Sequence, residues 1–235
     1  MNDPINLPPL FSPQPAGKTH AFEAACTMAQ EGCDAGVVTH ALRSKRLEAA
    51  IVFAPEVPLS AASIVLPICG IGFQNALGAV APPEVAVHLE WSGGVKLNGG
   101  RAGALRFAAS PETPETVPDW MVVGLELNLL SETEDPGHAP DIAALFTEGC
   151  GDVDPVLLIE AWVRHTLVWL NRWMEEGTGP IHAEWSSRAD MSKGTLIPAG
   201  CGGEFVGLDE NLGLILRSGM ETIIVPLSDL LQEHS

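Results

Sequence analysis

VAVHLEWSGGVKLNGGRAGALRFAA, residues 85–109, decides the fold. Apolar and polar residues alternate from Val85 to Trp91, Ser92, Gly93 and Gly94 supply a turn, and Val95 to Asn98 continues the alternation. Gly99 and Gly100 turn the chain again before Ala102 to Ala109 alternates once more. Strand side chains project to opposite faces with period two, and short Gly-rich turns join antiparallel neighbours, so the stretch predicts consecutive β-hairpins.

Outward from this centre the pattern changes. On the N-terminal side, Leu59 to Val80 is apolar at helical length, with a break or kink expected near Pro67. Before it lie two strand candidates rich in Val, Ile and Phe, Ala35 to His40 and Glu48 to Ala54. Thr19 is placed to cap a helix carrying Phe22, Ala25, Met28 and Ala29, which Gly32 ends. Residues 1–17 hold five prolines and read as an extended lead-in.

On the C-terminal side, Trp120 to Leu129 is almost continuously apolar, the mark of a central strand. Pro155 opens an amphipathic helix with Leu158, Trp162, Leu167, Leu170 and Trp173 on one stripe. From Gly202 onward three short strands, turns at Glu210 to Gly213 and Ser218 to Glu221, and a last helical turn are expected. Strands grouped apart from helices indicate an α+β fold with a mainly antiparallel sheet. Three parts are expected: the lead-in 1–17, a main domain 18–180 and a small C-terminal domain 181–235, the boundary falling between Gly177 and Gly202.

Composition narrows the function classes. Thirty acidic and twelve basic residues give a net charge of −18, which opposes a phosphate backbone and an anionic membrane surface. Nucleic-acid and membrane partners are therefore not expected. Between Phe107 and Val163 there is no Lys or Arg but twelve acids, a solvated acidic surface or a docking face for a basic partner. The apolar run Leu59 to Val80 is interrupted by Ser60, Ser63, Pro67, Gln74 and Asn75, which suits a buried helix better than a bilayer span. The first residues show no secretory signal, so a cytoplasmic chain is expected. The five cysteines, Cys26, Cys33, Cys69, Cys150 and Cys201, form no C-x-x-C pair and read as reduced thiols; neither they nor the histidines have metal-site spacing. Cys69 is a nucleophile candidate by chemistry and a core residue by its apolar surroundings.

Three phrases together resemble the biotin–protein ligase and lipoate–protein ligase family. HLEWSGGVKLNGGRAGALRF, from His88, is similar to the family strand pair K-W-P-N-D, turn, K-x-A-G-I-L. VVGLELNL, from Val122, is similar to V-V-G-I-G-I-N, and GEFVGLDENLGLILRSG to the C-terminal SH3-like barrel. The resemblance spans roughly Thr19 to Leu231 and implies a class II synthetase-like sheet with flanking helices. It further implies joining of a carboxylic acid to ATP as an acyl-adenylate, then transfer to a lysine of a carrier domain. ATP with biotin or lipoate would be the cofactors if that activity is retained; a small carboxylic acid and an acyl-carrier domain are the implied partners. Dimerisation through a sheet edge, as in some relatives, is open.

Residue by residue, the resemblance sets Arg101 where the family has the lysine of K-x-A-G-I-L, as cation and carboxylate clamp, followed by Gly103 and Ala104 in register. Trp91 matches the family tryptophan, as pocket wall or core filler, and Asn128 the family asparagine, as nucleotide contact or local backbone partner. His40 and His88 fall near strand ends on the expected pocket side. The departures concern the phosphates. Glu90 replaces the lysine before the tryptophan, and Ser92, Gly93 and Gly94 replace P-N-D. Only six residues between His40 and Leu47 stand where the family carries a G-R-G-R-x-G-R loop. Glu90 and Arg101 are expected to pair, leaving a nearly neutral pocket. Three functions follow: an atypical ligase or acyltransferase, a non-catalytic member that binds a small acid or a carrier, or an interaction protein using its acidic stretch.

Overall fold

A computed structural model describes residues 5–131, 141–190 and 203–231. Its main sheet has seven strands in the order β1-β2-β3-β7-β6-β5-β4: Ser12–Pro15, Val37–Leu42, Arg46–Phe53, Trp120–Asn128, Gly100–Ser110, Gly94–Leu97 and Val87–Leu89, respectively. All neighbours are antiparallel except β1 and β2, which run parallel. The proline-rich lead-in thus contributes an extended strand that pairs with the sheet, its Pro13 and Pro15 on an edge where missing N–H groups cost little.

Period-two alternation gives the sheet two buried faces. On one, Ala50, Val52, Ala108, Trp120 and Val122 pack under helix α1 (Ala21–Gln30) through Phe22, Ala25 and Cys26. On the other, Ala49, Ile51, Phe107, Met121, Val123 and Leu125 join the main core, built on α3 (Val65–Val80) and α4 (Pro155–Glu176). The helix expected over residues 59–80 is broken, but at Ser63 and Ile64, separating α2 (Leu59–Ala62) from α3. Pro67 then falls in the first turn of α3, where no intrahelical donor is lost. The run Leu59–Val80 is long and apolar enough to cross a membrane, yet its most apolar window is 72% buried inside the fold, the signature of a core helix.

Helix α4 begins as expected at Pro155, with the Asp154 side chain accepting the Val156 N–H at 2.8 Å. Its buried stripe runs through Leu158, Trp162, Thr166 and Trp169, while Leu170 and Trp173 pack at the margin. Trp162 donates its indole N–H to the Cys69 carbonyl of α3 at 3.0 Å. Cys69 itself is fully buried and its thiol is pushed up by burial, so it is a packing residue and no nucleophile. Helix α5 (Gly179–Arg188) follows and packs Ile181 and Trp185 into the same core.

The C-terminal strands β8 (Glu204–Leu208), β9 (Leu214–Ser218) and β10 (Glu221–Val225) form an antiparallel sheet, turning at the expected places. Among the described residues this is an open three-stranded sheet rather than a closed barrel. It docks on the main domain by a 2.6 Å hydrogen bond from the Trp91 indole to the Leu212 carbonyl and by a bridge between Leu231 and Phe107. Cys201 lies outside the described residues, as do Glu132, Glu134, Asp135, His138 and His234.

Candidate functional site

The turn between β5 and β6 is Asn98–Gly99, both with positive φ (50° and 92°), the two-residue geometry whose twist matches antiparallel strands. Counting from it, Leu97 pairs with Gly100 and Lys96 with Arg101. The register then slips: Val95 pairs with Gly103, leaving Ala102 as the extra residue of a bulge. The bulge has a chemical consequence. It buries Ala102 in the main core and turns Arg101 to the α1 face, beside Lys96.

Glu90 completes the group. Its carboxylate folds back over Gly94, filling the space a Cβ there would need. Glu90 Oε1 lies 3.2 Å from Lys96 Nζ, and Oε2 lies 3.7 Å from an Arg101 terminal nitrogen. The expected Glu90–Arg101 pairing is therefore present, but Lys96 is the nearer cation. A fourth group arrives from far along the chain: Asp190 Oδ2 accepts from Lys96 Nζ at 2.6 Å. The Asp190 hydrogen bond, reinforced by Glu90, outweighs burial and holds the Lys96 ammonium above its ordinary pKa. Arg101 remains more than half exposed, so its pairing is screened by solvent and orients more than it stabilises.

A second polar group borders α1 on the same face. Glu126 bridges Arg46 at 2.8 Å and Arg106 at 3.6 Å, and Arg106 stacks over the Phe22 ring at 5.0 Å. Phe22 in turn lies on Gly124, where an added Cβ would meet the ring at 2.6 Å. Below it, buried Glu48 accepts from Arg43 Nε at 3.0 Å and from the Ala21 N–H at 3.1 Å, with His20 Nδ1 at 3.2 Å. Glu48, not Thr19, thereby serves the first turn of α1; the Thr19 carbonyl instead accepts from Arg43 at 2.8 Å. The cavity among His20, Phe22, Glu48, Arg106 and Glu126 measures about 10 Å³, room for about one water.

Of the residues singled out in the sequence, Glu90 and Arg101 come together, and Ala104 faces them across Gly94 in the β5–β6 ladder. Gly103 is pressed against the Glu126 carbonyl and leaves no space for a side chain. Trp91 is buried and bonded to Leu212, so it fills the core between the two sheets. Asn128 donates to the Ala143 carbonyl at 3.3 Å, a local backbone partner. His40 is a correction: it pairs with Ala49, whose side chain is in the main core, and so projects to the face opposite Glu90 and Arg101. Burial there lowers its pKa. His88 stands exposed, opposite Lys96 in the ladder.

The assignment of Arg101 also needs correcting. K-x-A-G-I-L has one residue between lysine and alanine, so counting back from Ala102 puts Gly100 at the lysine position. A Cβ at Gly100 would lie 2.9 Å from the Ala143 Cβ and 3.2 Å from its nitrogen, because residues 141–143 run against this end of β6. That position is closed to a side chain, and Lys96 and Arg101 carry the positive charge instead. Lys96 was legible from the Asn-Gly turn, which fixes its pairing with Arg101. Asp190, 94 residues away, had no local signal.

Chemically, this face offers an ammonium and a guanidinium around one buried carboxylate, suited to holding one further carboxylate. It does not fit a nucleotide triphosphate. Lys96, Arg101, Arg46, Arg106 and Arg43 each lie against an acidic side chain. The connection between β2 and β3 is only Arg43, Ser44 and Lys45, closed by an Arg43 N–H to Arg46 carbonyl bond of 2.8 Å. A polyanion there meets Glu90, Glu126 and Glu48 along with the cations that would hold it.

Comparison with known proteins bears on this geometry. A family model described as the biotin/lipoate A/B protein ligase family matches residues 7–187, and one described only as a domain of unknown function matches 196–233. A biotin–[acetyl-CoA-carboxylase] ligase of Paracoccus denitrificans is 24% identical over 188 residues, 77% of each chain. The crystal structure of a biotin protein ligase-like protein of unknown function from Silicibacter is 48% identical, covering 98% of this chain and 100% of that one at a TM-score of 0.91. Biotin protein ligase from Aquifex aeolicus, in complex with biotin and ATP, shares the fold at a TM-score of 0.69 and 15% identity, over 92% and 95% of the two chains.

Proposed function

The chain belongs to the biotin/lipoate A/B protein ligase family, and from that premise we propose that it is a member that binds a small carboxylic acid, or the acyl group of a carrier domain, without forming an adenylate. The three-residue turn at Arg43 to Lys45 carries this proposal. A loop of that length cannot cover a ligand, and its Arg43 is already spent on Glu48 and the Thr19 carbonyl. Activation of a carboxylate by ATP demands preorganised charge for the phosphates, and Arg43, Arg46, Lys96, Arg101 and Arg106 are already opposed by carboxylates. Set against Glu90 alone, Lys96 and Arg101 keep one net positive charge, enough to orient one carboxylate. The C-terminal sheet is assigned in the same spirit as the counterpart of the family's SH3-like module, a surface for a carrier.

A thermal-shift series with biotin, lipoate, octanoate, ATP and a non-hydrolysable acyl-adenylate mimic tests the proposal. A free acid at a hundredfold its Kd is expected to raise the melting temperature by about 5 °C, with ATP silent and the mimic no better than the acid. Mass spectrometry of a biotin- or lipoate-accepting carrier domain, incubated with protein, acid and ATP, is expected to show no mass increase. Carrier acylation, or a mimic-specific shift lost in Arg101→Ala, would make the chain an active ligase.

A further inference from the structure

The Lys96 site already holds a carboxylate, and the chain itself supplies it. We propose that Asp190 is an internal competitor for the ligand: its carboxylate occupies the position on Lys96 that a bound acid takes, and binding requires its displacement. The inference rests on the reading that this face binds a carboxylic acid, and it adds how that binding is regulated.

The two acids around Lys96 are held differently. Glu90 is 8% exposed, folded over Gly94 and followed at once by Trp91, whose indole is fixed to Leu212. It is a permanent counter-ion. Asp190 reaches Lys96 from the sheet edge, where Ala189 bridges Leu89 and the Asp190 N–H donates to the Leu89 carbonyl at 2.8 Å, and its side chain is 20% exposed. Yet Asp190 makes the shorter contact, 2.6 Å against 3.2 Å for Glu90. Lys96, at 16% side-chain exposure, has little water to fall back on if that partner leaves.

Charge balance sets the ligand class. Lys96, Arg101 and Glu90 sum to one positive charge, and Asp190 neutralises it. A monocarboxylate in its place restores the balance, whereas a phosphate chain overshoots it. Arg101, 3.7 Å from Glu90 and more than half exposed, is free to swing onto the incoming carboxylate. Because residues 189 and 190 lie between α5 and the C-terminal sheet, the exchange also loosens the chain where it leaves the main domain.

Calorimetric titration of octanoate, biotin and lipoate into the full chain, as wild type, Asp190→Asn and Lys96→Met, tests this. Asp190→Asn keeps the backbone bond to Leu89 and is expected to bind the preferred acid about tenfold more tightly, the scale of one charge-assisted hydrogen bond. Lys96→Met is expected to bind none. In the wild type, saturating acid is expected to speed amide exchange at Asp190, which a purely structural ion pair would not do. Equal affinity in wild type and Asp190→Asn, with Lys96→Met weakened, overturns the competition and leaves the acid site standing. Undiminished binding in Lys96→Met puts the ligand elsewhere and overturns it too. Silence of all three acids in both wild type and Asp190→Asn overturns the competition together with the acid-binding proposal.

Discussion

Trp162→Ala is expected to cost about 3–5 kcal/mol of stability and to lower the melting temperature by roughly 10 °C. Trp162 is fully buried, and it joins α4 to α3 both by packing and by the bond to the Cys69 carbonyl. These helices back the sheet directly behind the strands that carry Lys96 and Arg101: Gly70 of α3 touches Leu89 and Leu105, and Gly72 lies against Thr166 of α4. Little can move in to refill the void, because the neighbouring α3 positions are themselves close-packed. Trp162→Phe separates the two contributions. It retains most of the apolar ring but loses the indole donor, so about 1–2 kcal/mol is expected. Guanidinium unfolding measures both. A loss below 1 kcal/mol for Trp162→Ala would mean that the α3–α4 layer is not a rigid support for the site.

The stretch from Val85 to Ala109 announced its hairpins because alternation and glycine turns act over a few residues, and the hairpins are there. The same locality explains what stayed hidden. Alternation counted through β6 assigns Arg101 to the same face as Gly103 and Leu105; the bulge at Ala102 breaks that count and turns Arg101 toward Lys96. Nothing in the composition of residues 95–104 marks the slip. Thr19 looked like the cap of α1 because Thr is a good N-cap, but a carboxylate 27 residues beyond Ala21 does the work instead. Asp190 meets Lys96 only because α5 brings the chain back past β4. Family likeness pointed to β5 and β6 but misaligned the lysine by one position, and the contact of Gly100 with Ala143 shows why no side chain stands there.

Glu48→Ala is expected to cost about 2–3 kcal/mol at neutral pH, since it strands the Ala21 N–H and leaves Arg43 without its carboxylate. The figure stays below that of a fully buried pair because Arg43 and His20 are partly exposed and reach water once Glu48 is gone. Acid titration distinguishes this carboxylate from a merely well-packed side chain. Burial alone pushes the Glu48 pKa up, but the Arg43 and Ala21 hydrogen bonds, with His20 nearby, pull it below its ordinary value of 4.5. A carboxyl group whose pKa is lower in the folded state contributes stability above its unfolded pKa and loses it as the pH falls through the folded one. The contribution of Glu48 therefore fades as the pH falls below 4.5. Glu48→Gln has no such proton to take up. Its stability deficit relative to wild type is expected to be greatest at neutral pH and to shrink below pH 4.5 as the wild type loses its advantage. Denaturant titrations at pH 7, 5, 4 and 3 measure the difference. Parallel wild-type and Glu48→Gln curves over that range would show that the Arg43–Glu48 pair holds neither α1 nor the short turn in place.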